Sequence, residues 1–507
     1  MPARWTHGLT TGMCSVLLIT MSDADSRTVR EEWGSRFGFL IAMLGAMVGA
    51  GNIWRMPYVT GQNGGGAFLL AYVILLFVIA IPGLMAETVL GHYTNRGVIG
   101  SFRSVFGRGR AEGLGLVVVA VTVALMSYYA ATIGWTIYYA FQALTLRFAQ
   151  PGFDSQAFWS AFSGSPVLSV GTQTIAVAAM AGVLFFGVRD GIERVVKWAI
   201  PLLVVSLAAV AIAGLTLDGA TAGLTFAFAP QWDALTKGST WIAALGQALF
   251  STGLGWGIAL TFGSYLSKND DVPLGGGVFT AVGNTSIGLL AIFAVFPAVF
   301  TFGLQPTEGS QLTFVSLASV FPQMAGGAIW SILFFVGFLC ATFSSGIAIT
   351  EVAVTSVVEE TRLDRTGAVL AVCGAIWLLG LPSALSAEFL GTMDFMFRSF
   401  GLPLATLLIV LTVGWKVGPE RIRVIALNQN SDIYIGGWWN PVIKYVIPAV
   451  MSFIIVYYVV TSITDSFAQT AGGVVLMIGL LVGAVLTMGV IRRGGGPTDA
   501  DAALGDD

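Results

Sequence analysis

Between residues 36 and 491 the sequence runs through twelve stretches long and apolar enough to cross a membrane. A hydrocarbon core about 30 Å thick takes about 20 residues of helix, and the predicted spans lie near 36–58, 67–91, 114–146, 171–187, 193–215, 240–266, 275–303, 327–358, 368–383, 386–414, 442–463 and 471–491. Composition points the same way, at 56% hydrophobic and 10% charged, against roughly 45–50% apolar and 25% charged in a soluble domain. A soluble globular fold is excluded, and 64 glycines without a G-X-Y period exclude collagen. The chain reads as an all-α polytopic membrane protein with 12 transmembrane helices.

Orientation follows from the basic residues, which gather on the cytoplasmic side of membrane proteins. With the N-terminus inside, the inner segments hold 20 of the 24 Lys and Arg residues, the outer loops hold Arg147 and Lys237, and Arg55 and Arg398 sit near the outer ends of their spans. Both termini are then cytoplasmic, in an inner (plasma) membrane protein. Residues 1–30 read as a polar leader, with Met21 opening a plain segment and the first twenty residues expected to have no function of their own.

Chemistry-bearing residues are sparse. The cysteines Cys14, Cys340 and Cys373 have no metal-site or disulfide spacing, and His7 and His92 are the only histidines. A membrane-embedded enzyme would need a nucleophile, base or metal set that this inventory lacks, and a sensor would need a soluble output domain. No basic stripe suggests a nucleic-acid partner.

Two spans are interrupted. Span 1 carries Gly45-Ala46-Met47-Val48-Gly49-Ala50-Gly51-Asn52, and span 6 carries Ser251-Thr252-Gly253-Leu254-Gly255-Trp256-Gly257 at a similar depth. Taken singly, either run fits close helix packing through small residues. As a pair, in the first helix of two five-helix halves, they point to irregular backbone that lines a binding site between inverted repeats.

Trp33-Gly34-Ser35-Arg36-Phe37-Gly38, Gly49 to Tyr58 (GAGNIWRMPY) and Asn63-Gly64-Gly65-Gly66-Ala67-Phe68 make a specific set. Ile81-Pro82 with Glu87, Trp241 to Ala244 with Gln247, Ser344-Ser345 and Met393-Asp394-Phe395 follow in order. On these residues the chain resembles the neurotransmitter:sodium symporter family from Arg30 to about span 10, and more weakly through spans 11 and 12. The resemblance implies a 5+5 inverted repeat with broken helices 1 and 6: a leader at 1–30, spans 1–5 in 31–215, spans 6–10 in 216–415, spans 11–12 in 416–492 and a cytoplasmic tail at 493–507. An anionic substrate group at the N-termini of half-helices is a known property of this family, and it too is implied by the resemblance.

The resemblance also implies two sodium sites, built from neutral oxygens that suit a hard cation. The first would use the Met47 carbonyl, Asn52, Asn284, Ser251 and the substrate carboxylate. The second would use carbonyls of Gly45, Val48 and Ala341 with the Ser344 and Ser345 hydroxyls. Substrate would lie between the breaks, its carboxylate at the N–H groups of Ala50 and Gly51 and at the Tyr129 hydroxyl. Leu125, Ala50, Phe250, Gly253, Trp256 and Ile349 would line its side chain, with Ala46, Gly49, Ser251 and Ser345 completing the set. Amine-carrying relatives have an aspartate at the Gly49 position, so a glycine there implies a ligand that brings its own carboxylate: an amino acid. Uncharged lining residues make it neutral, and Gly253 and Gly255 make room for a hydrophobic or aromatic side chain.

The gates implied are Arg55 with Asp394 outside, over a lid of Phe250 and Tyr129, and Arg30 with Glu359 inside, beside Trp33 and Tyr265. Glu87 is expected to order the unwound backbone, with Glu351 in a similar structural role. A chloride site would use Tyr72, Gln247, Ser251 and Asn284, although the family's usual span 7 serine is Gly288 here. The reading is a sodium-coupled importer of a neutral amino acid, the alternative a chloride- and sodium-dependent carrier of another small zwitterion.

Overall fold

The computed structural model describes residues 31–107, 112–150, 152–267, 270–304 and 311–465. Eleven of the twelve spans fall within them. Nine are long apolar helices: Gly66–Thr94, Gly113–Leu144, Pro166–Leu184, Val188–Leu215, Leu274–Thr301, Gly327–Glu360, Arg365–Leu385, Ala387–Val417 and Trp439–Thr461, which are spans 2–5 and 7–11. Span 1 is the bent pair Arg36–Met47 and Gly51–Gln62, with 54° between its halves. Span 6 is Gly238–Thr252 followed by Ile258–Gly263. The leader, Arg30, span 12 and the tail lie outside the described residues.

Local chemistry sets the ends. The Ser35 hydroxyl accepts the Gly38 N–H and starts span 1, and Ser165 and Asp364 cap spans 4 and 9 in the same way, each satisfying one of the orphan donors of a first turn. Span 2 ends where Asn95 turns left-handed at φ 50°, the usual alternative to glycine at a helix C-terminus.

Four shorter helices lie between the spans: Val98–Phe106, Ser155–Ser163, Ala220–Phe228 and the apolar Leu312–Gln323. They are too short to register as spans. Val98–Phe106, for example, buries Val98, Ile99 and Phe102 and exposes Ser104.

Spans 3 and 8, the third helices of the two halves, pack along each other. They are tied by hydroxyl pairs at Tyr129–Ser345 (2.9 Å) and Thr136–Thr342 (3.0 Å). Span 2 crosses the second half of span 6 at backbone contact, since a methyl at Gly91 would overlap the Leu260 carbonyl and one at Gly263 the Thr88 carbonyl. Outward-facing apolar side chains such as Ile175, Val205, Ile212, Leu370 and Leu378 are exposed, a surface suited to lipid and not to water.

Candidate substrate and ion site

The two breaks lie against each other. Span 1 ends its first half at Val48, which is extended at ψ 115°. In span 6 the chain leaves the helix at Gly253 (φ 64°) and passes through Gly255 (φ 86°) and Gly257 (φ 72°) before the helix resumes. These are left-handed conformations that cost an L-residue roughly 1–2 kcal/mol each, which explains glycine at every second position.

Between them is a small cavity of about 10 Å³, lined by Ala46, Met47, Gly49, Ala50, Gly51, Tyr129, Phe250, Gly253, Trp256 and Ser345. That is about one water's worth of space. Nine of the twelve residues expected around the ligand line it, together with Met47. Leu125 and Ile349 are buried but are not among its lining residues, and the Ser251 hydroxyl meets that of Tyr72 at 3.3 Å.

Polar groups around the cavity form a chain. The Ala50 N–H donates to the Tyr129 hydroxyl (3.2 Å), so this N–H is not free as expected but shared with the tyrosine. Tyr129 contacts Ser345 Oγ, and Ser345 donates to the Ala341 carbonyl at 3.1 Å. The Gly49 N–H is held by Asn52 Oδ1 at 3.2 Å. Asn52 Nδ2 reaches both the carbonyl and the Oδ1 of Asn284 at 2.8 Å, so the two amides assigned to the first sodium site are brought together. At the second, Ser344 Oγ lies 2.9 Å from the Gly45 carbonyl and 3.1 Å from the Ala341 carbonyl. Its hydroxyl serves its own helix and bridges to span 1 at once. Among the described residues no group of three His, Cys, Asp or Glu side chains is placed to hold a metal ion.

Around span 6 the backbone is satisfied from outside. Glu87 Oε2 accepts the Gly255 N–H at 3.0 Å, as expected of a carboxylate inside span 2, and Thr122 donates to the Trp256 carbonyl at 2.8 Å.

Other expectations need correction. Arg55 and Asp394 form no ion pair. Arg55 is buried, donates to Gln247 Oε1 and lies over the Phe250 ring at 5.7 Å, while Asp394 pairs with Arg398, one turn along its own helix, at 3.3 Å. Each charge has a nearer partner, which an apolar span enforces. Gln247 does not join the chloride donors either, because its Nε2 donates to the Gly51 carbonyl at 2.9 Å. Tyr72 instead contacts Thr285 at 3.0 Å, a residue that sequence reasoning passes over.

Inside, Trp33 Nε1 donates to the Phe262 carbonyl at 3.1 Å and its ring meets Phe262 edge-on, centroids 5.0 Å apart. Glu359 accepts the Gly97 N–H with both oxygens, at 2.9 and 3.0 Å; its expected partner Arg30 lies outside the described residues. Glu351 does not order backbone. It pairs with Arg365 at 2.8 Å and accepts from Tyr265 at 2.8 Å, and Arg365 also reaches Glu31 at 3.1 Å. Sequence reasoning misses Arg365 and Glu31, although a carboxyl in an apolar span needs a cation and Arg365 is the second one downstream.

A helical membrane protein with a small cavity where two broken helices meet, and with neutral oxygens on both sides of it, is a secondary transporter of the broken-helix class. Residues 30–156 and 166–492 match the sodium:neurotransmitter symporter family. The chain belongs to that family, whose members are transporters. It is 32% identical over 450 residues to an uncharacterized sodium-dependent transporter of Haemophilus influenzae, covering 84% of this chain and 98% of that one. A Bacillus subtilis sodium-dependent transporter, also uncharacterized, is 31% identical over 84% of this chain and 96% of its own. The crystal structure of MhsT in complex with L-phenylalanine superposes with a TM-score of 0.77 at 35% identity, covering 84% of this chain and 99% of that one. The protein is a sodium-dependent membrane symporter of the family's fold, with eleven of the expected spans among the described residues.

Proposed function

We propose that the chain imports a neutral, apolar amino acid with sodium, by alternating access between the repeats at 31–215 and 216–415. The observation that carries this is the lining of the cavity: backbone amides, a tyrosine and a serine hydroxyl, rings and a thioether, with no charged side chain among the ten residues. A ligand that needs a countercharge for sodium brings its own carboxylate, and its ammonium is left to the carbonyls at the ends of the broken helices. The L-phenylalanine complex of MhsT supports the same class.

In this reading Asn52, Asn284, Ser251 and the Met47 carbonyl hold one sodium, and Gly45, Val48, Ala341, Ser344 and Ser345 the other. About 2.3 kcal/mol per charge per 100 mV and about 1.4 kcal/mol per tenfold gradient give two ions about 7 kcal/mol, enough for about 10⁵-fold accumulation of a zwitterion. Both termini face the cytoplasm. Trp33, Tyr265 and the Glu31–Arg365–Glu351 cluster close the inner end, with Glu359 on the Gly97 N–H; Arg55 over Phe250, with Tyr129, closes the outer end, and Asp394 is held there by Arg398. Purified protein in liposomes tests it: radiolabelled leucine accumulates when sodium is imposed outside, and equal uptake in potassium rejects the reading.

A further inference from the structure

The Met47 carbonyl is assigned to sodium, but Met47 also lines the cavity, and its side chain lies against Gly253, another residue of the lining. Met47 is buried at 4% exposure. A methyl group built on Gly253 would overlap Met47 Sδ and stand 3.5 Å from its Cε, with Ile258 at 3.9 Å. The thioether of one broken helix therefore occupies the place that a side chain on the other would take. In the same lining, Phe250 and Trp256 meet edge-on with centroids 5.4 Å apart, and the Arg55 guanidinium lies over the Phe250 ring. The rings are the stiff side of the pocket. Methionine, unbranched with three rotatable bonds, is the side that adapts.

We infer that the Met47 side chain is the movable wall of the ligand's side-chain subsite and sets which apolar amino acids fit. This deepens, and rests on, the amino-acid reading above. With the cavity at about 10 Å³, no amino-acid side chain enters unless something moves. Gly257 and Gly255 are locked by their neighbours, whereas the unbranched Met47 side chain has three rotatable bonds and is the adaptable element of the lining. A wall of this kind admits a series, from leucine and methionine to phenylalanine, without a rigid match to any one.

The test is binding of radiolabelled leucine and tryptophan in sodium to the wild type, Met47→Ala, Gly253→Ala and the double variant. Shortening Met47 to its Cβ opens the subsite, and a methylene in a pocket is worth about 10-fold or more in discrimination. Met47→Ala is expected to raise the tryptophan-to-leucine affinity ratio at least about tenfold. Gly253→Ala pushes the thioether into the subsite and weakens both ligands, and adding Met47→Ala restores tryptophan binding, because the left-handed strain at residue 253 is common to both variants. An unchanged ratio in Met47→Ala, or a double variant no better than Gly253→Ala alone, overturns the inference. Absence of any amino-acid binding by the wild type overturns the amino-acid reading and this inference with it, whereas wild-type binding with an unchanged ratio overturns this inference alone.

Discussion

The two helix breaks solve one problem by different means. In span 1 the interrupted backbone has ordinary negative φ angles, and its freed groups are held by side chains, one from the break itself and three from other spans: Asn52 on the Gly49 N–H, Tyr129 on the Ala50 N–H, Gln247 on the Gly51 carbonyl and Ser344 on the Gly45 carbonyl. These partners are neutral amides and hydroxyls, each able to exchange one hydrogen bond for another. In span 6 the backbone itself is fixed, by three left-handed glycines and a buried carboxylate on the Gly255 N–H. The contrast assigns span 6 to the frame and span 1 to the exchange of ligands, since groups bound through neutral hydrogen bonds can be handed to an ion or a carboxylate, and a left-handed glycine cannot be handed to anything.

If that division holds, span 6 should fail through its backbone. Gly255→Ala adds a methyl that overlaps Thr406 Oγ1 and comes within 2.8 Å of the Leu402 carbonyl, at a φ of 86°. Left-handed strain of roughly 1–2 kcal/mol and overpacking of roughly 1–3 kcal/mol add to about 2–5 kcal/mol. The expected outcome is poor folding and an early thermal transition in detergent, with or without sodium. A variant as stable as wild type would mean that the break in span 6 is soft.

Span 1 should fail through a single partner. Asn52→Ala removes the amide that holds the Gly49 N–H and meets Asn284, and a hydrogen bond to a charged group is worth about 1.5–3 kcal/mol, or roughly 10- to 150-fold in sodium affinity. The protein should stay folded while sodium-dependent leucine binding is lost. Normal uptake would remove Asn52 from the first sodium site. Replacing Ser344 and Ser345 together by Ala should weaken sodium affinity less steeply, with little change in the ligand ranking, because only Ser345 reaches the cavity.

Much of this is legible in the chain itself. The glycines at 253, 255 and 257 announce the span 6 break because few other residues tolerate those angles, and the residues of the cavity wall follow from family motifs around them. What the sequence withholds is pairing. It says that Arg55, Asp394 and Glu351 each need a partner in an apolar setting, but distance chooses among the candidates: Gln247 for Arg55, Arg398 for Asp394 and Arg365 for Glu351. The four short helices escape for a related reason, since their apolar faces are complete only against the spans they touch.

The smallest expected effect sharpens the comparison where the two breaks meet. In the proposed reading, two sodium ions and one carboxylate leave a net positive charge in a low-dielectric core, and a nearby anion would offset it. Tyr72 stands between Ser251 of span 6 and Thr285 of span 7, at 3.3 and 3.0 Å, all three buried. These hydroxyls suit chloride even though Gln247 has turned to Gly51 and Arg55. A side chain at Gly288 has room, its first carbon lying 3.4 Å from Met56 Cγ and 3.7 Å from Asn52 Nδ2, so a carboxylate placed there reaches the same amide that serves the first sodium site. Replacing chloride by gluconate is expected to slow sodium-driven leucine uptake several-fold, and Gly288→Glu is expected to make the rate independent of chloride. Equal wild-type rates in the two buffers would refute the chloride site and leave the offsetting charge to Glu87, already bound to the span 6 break.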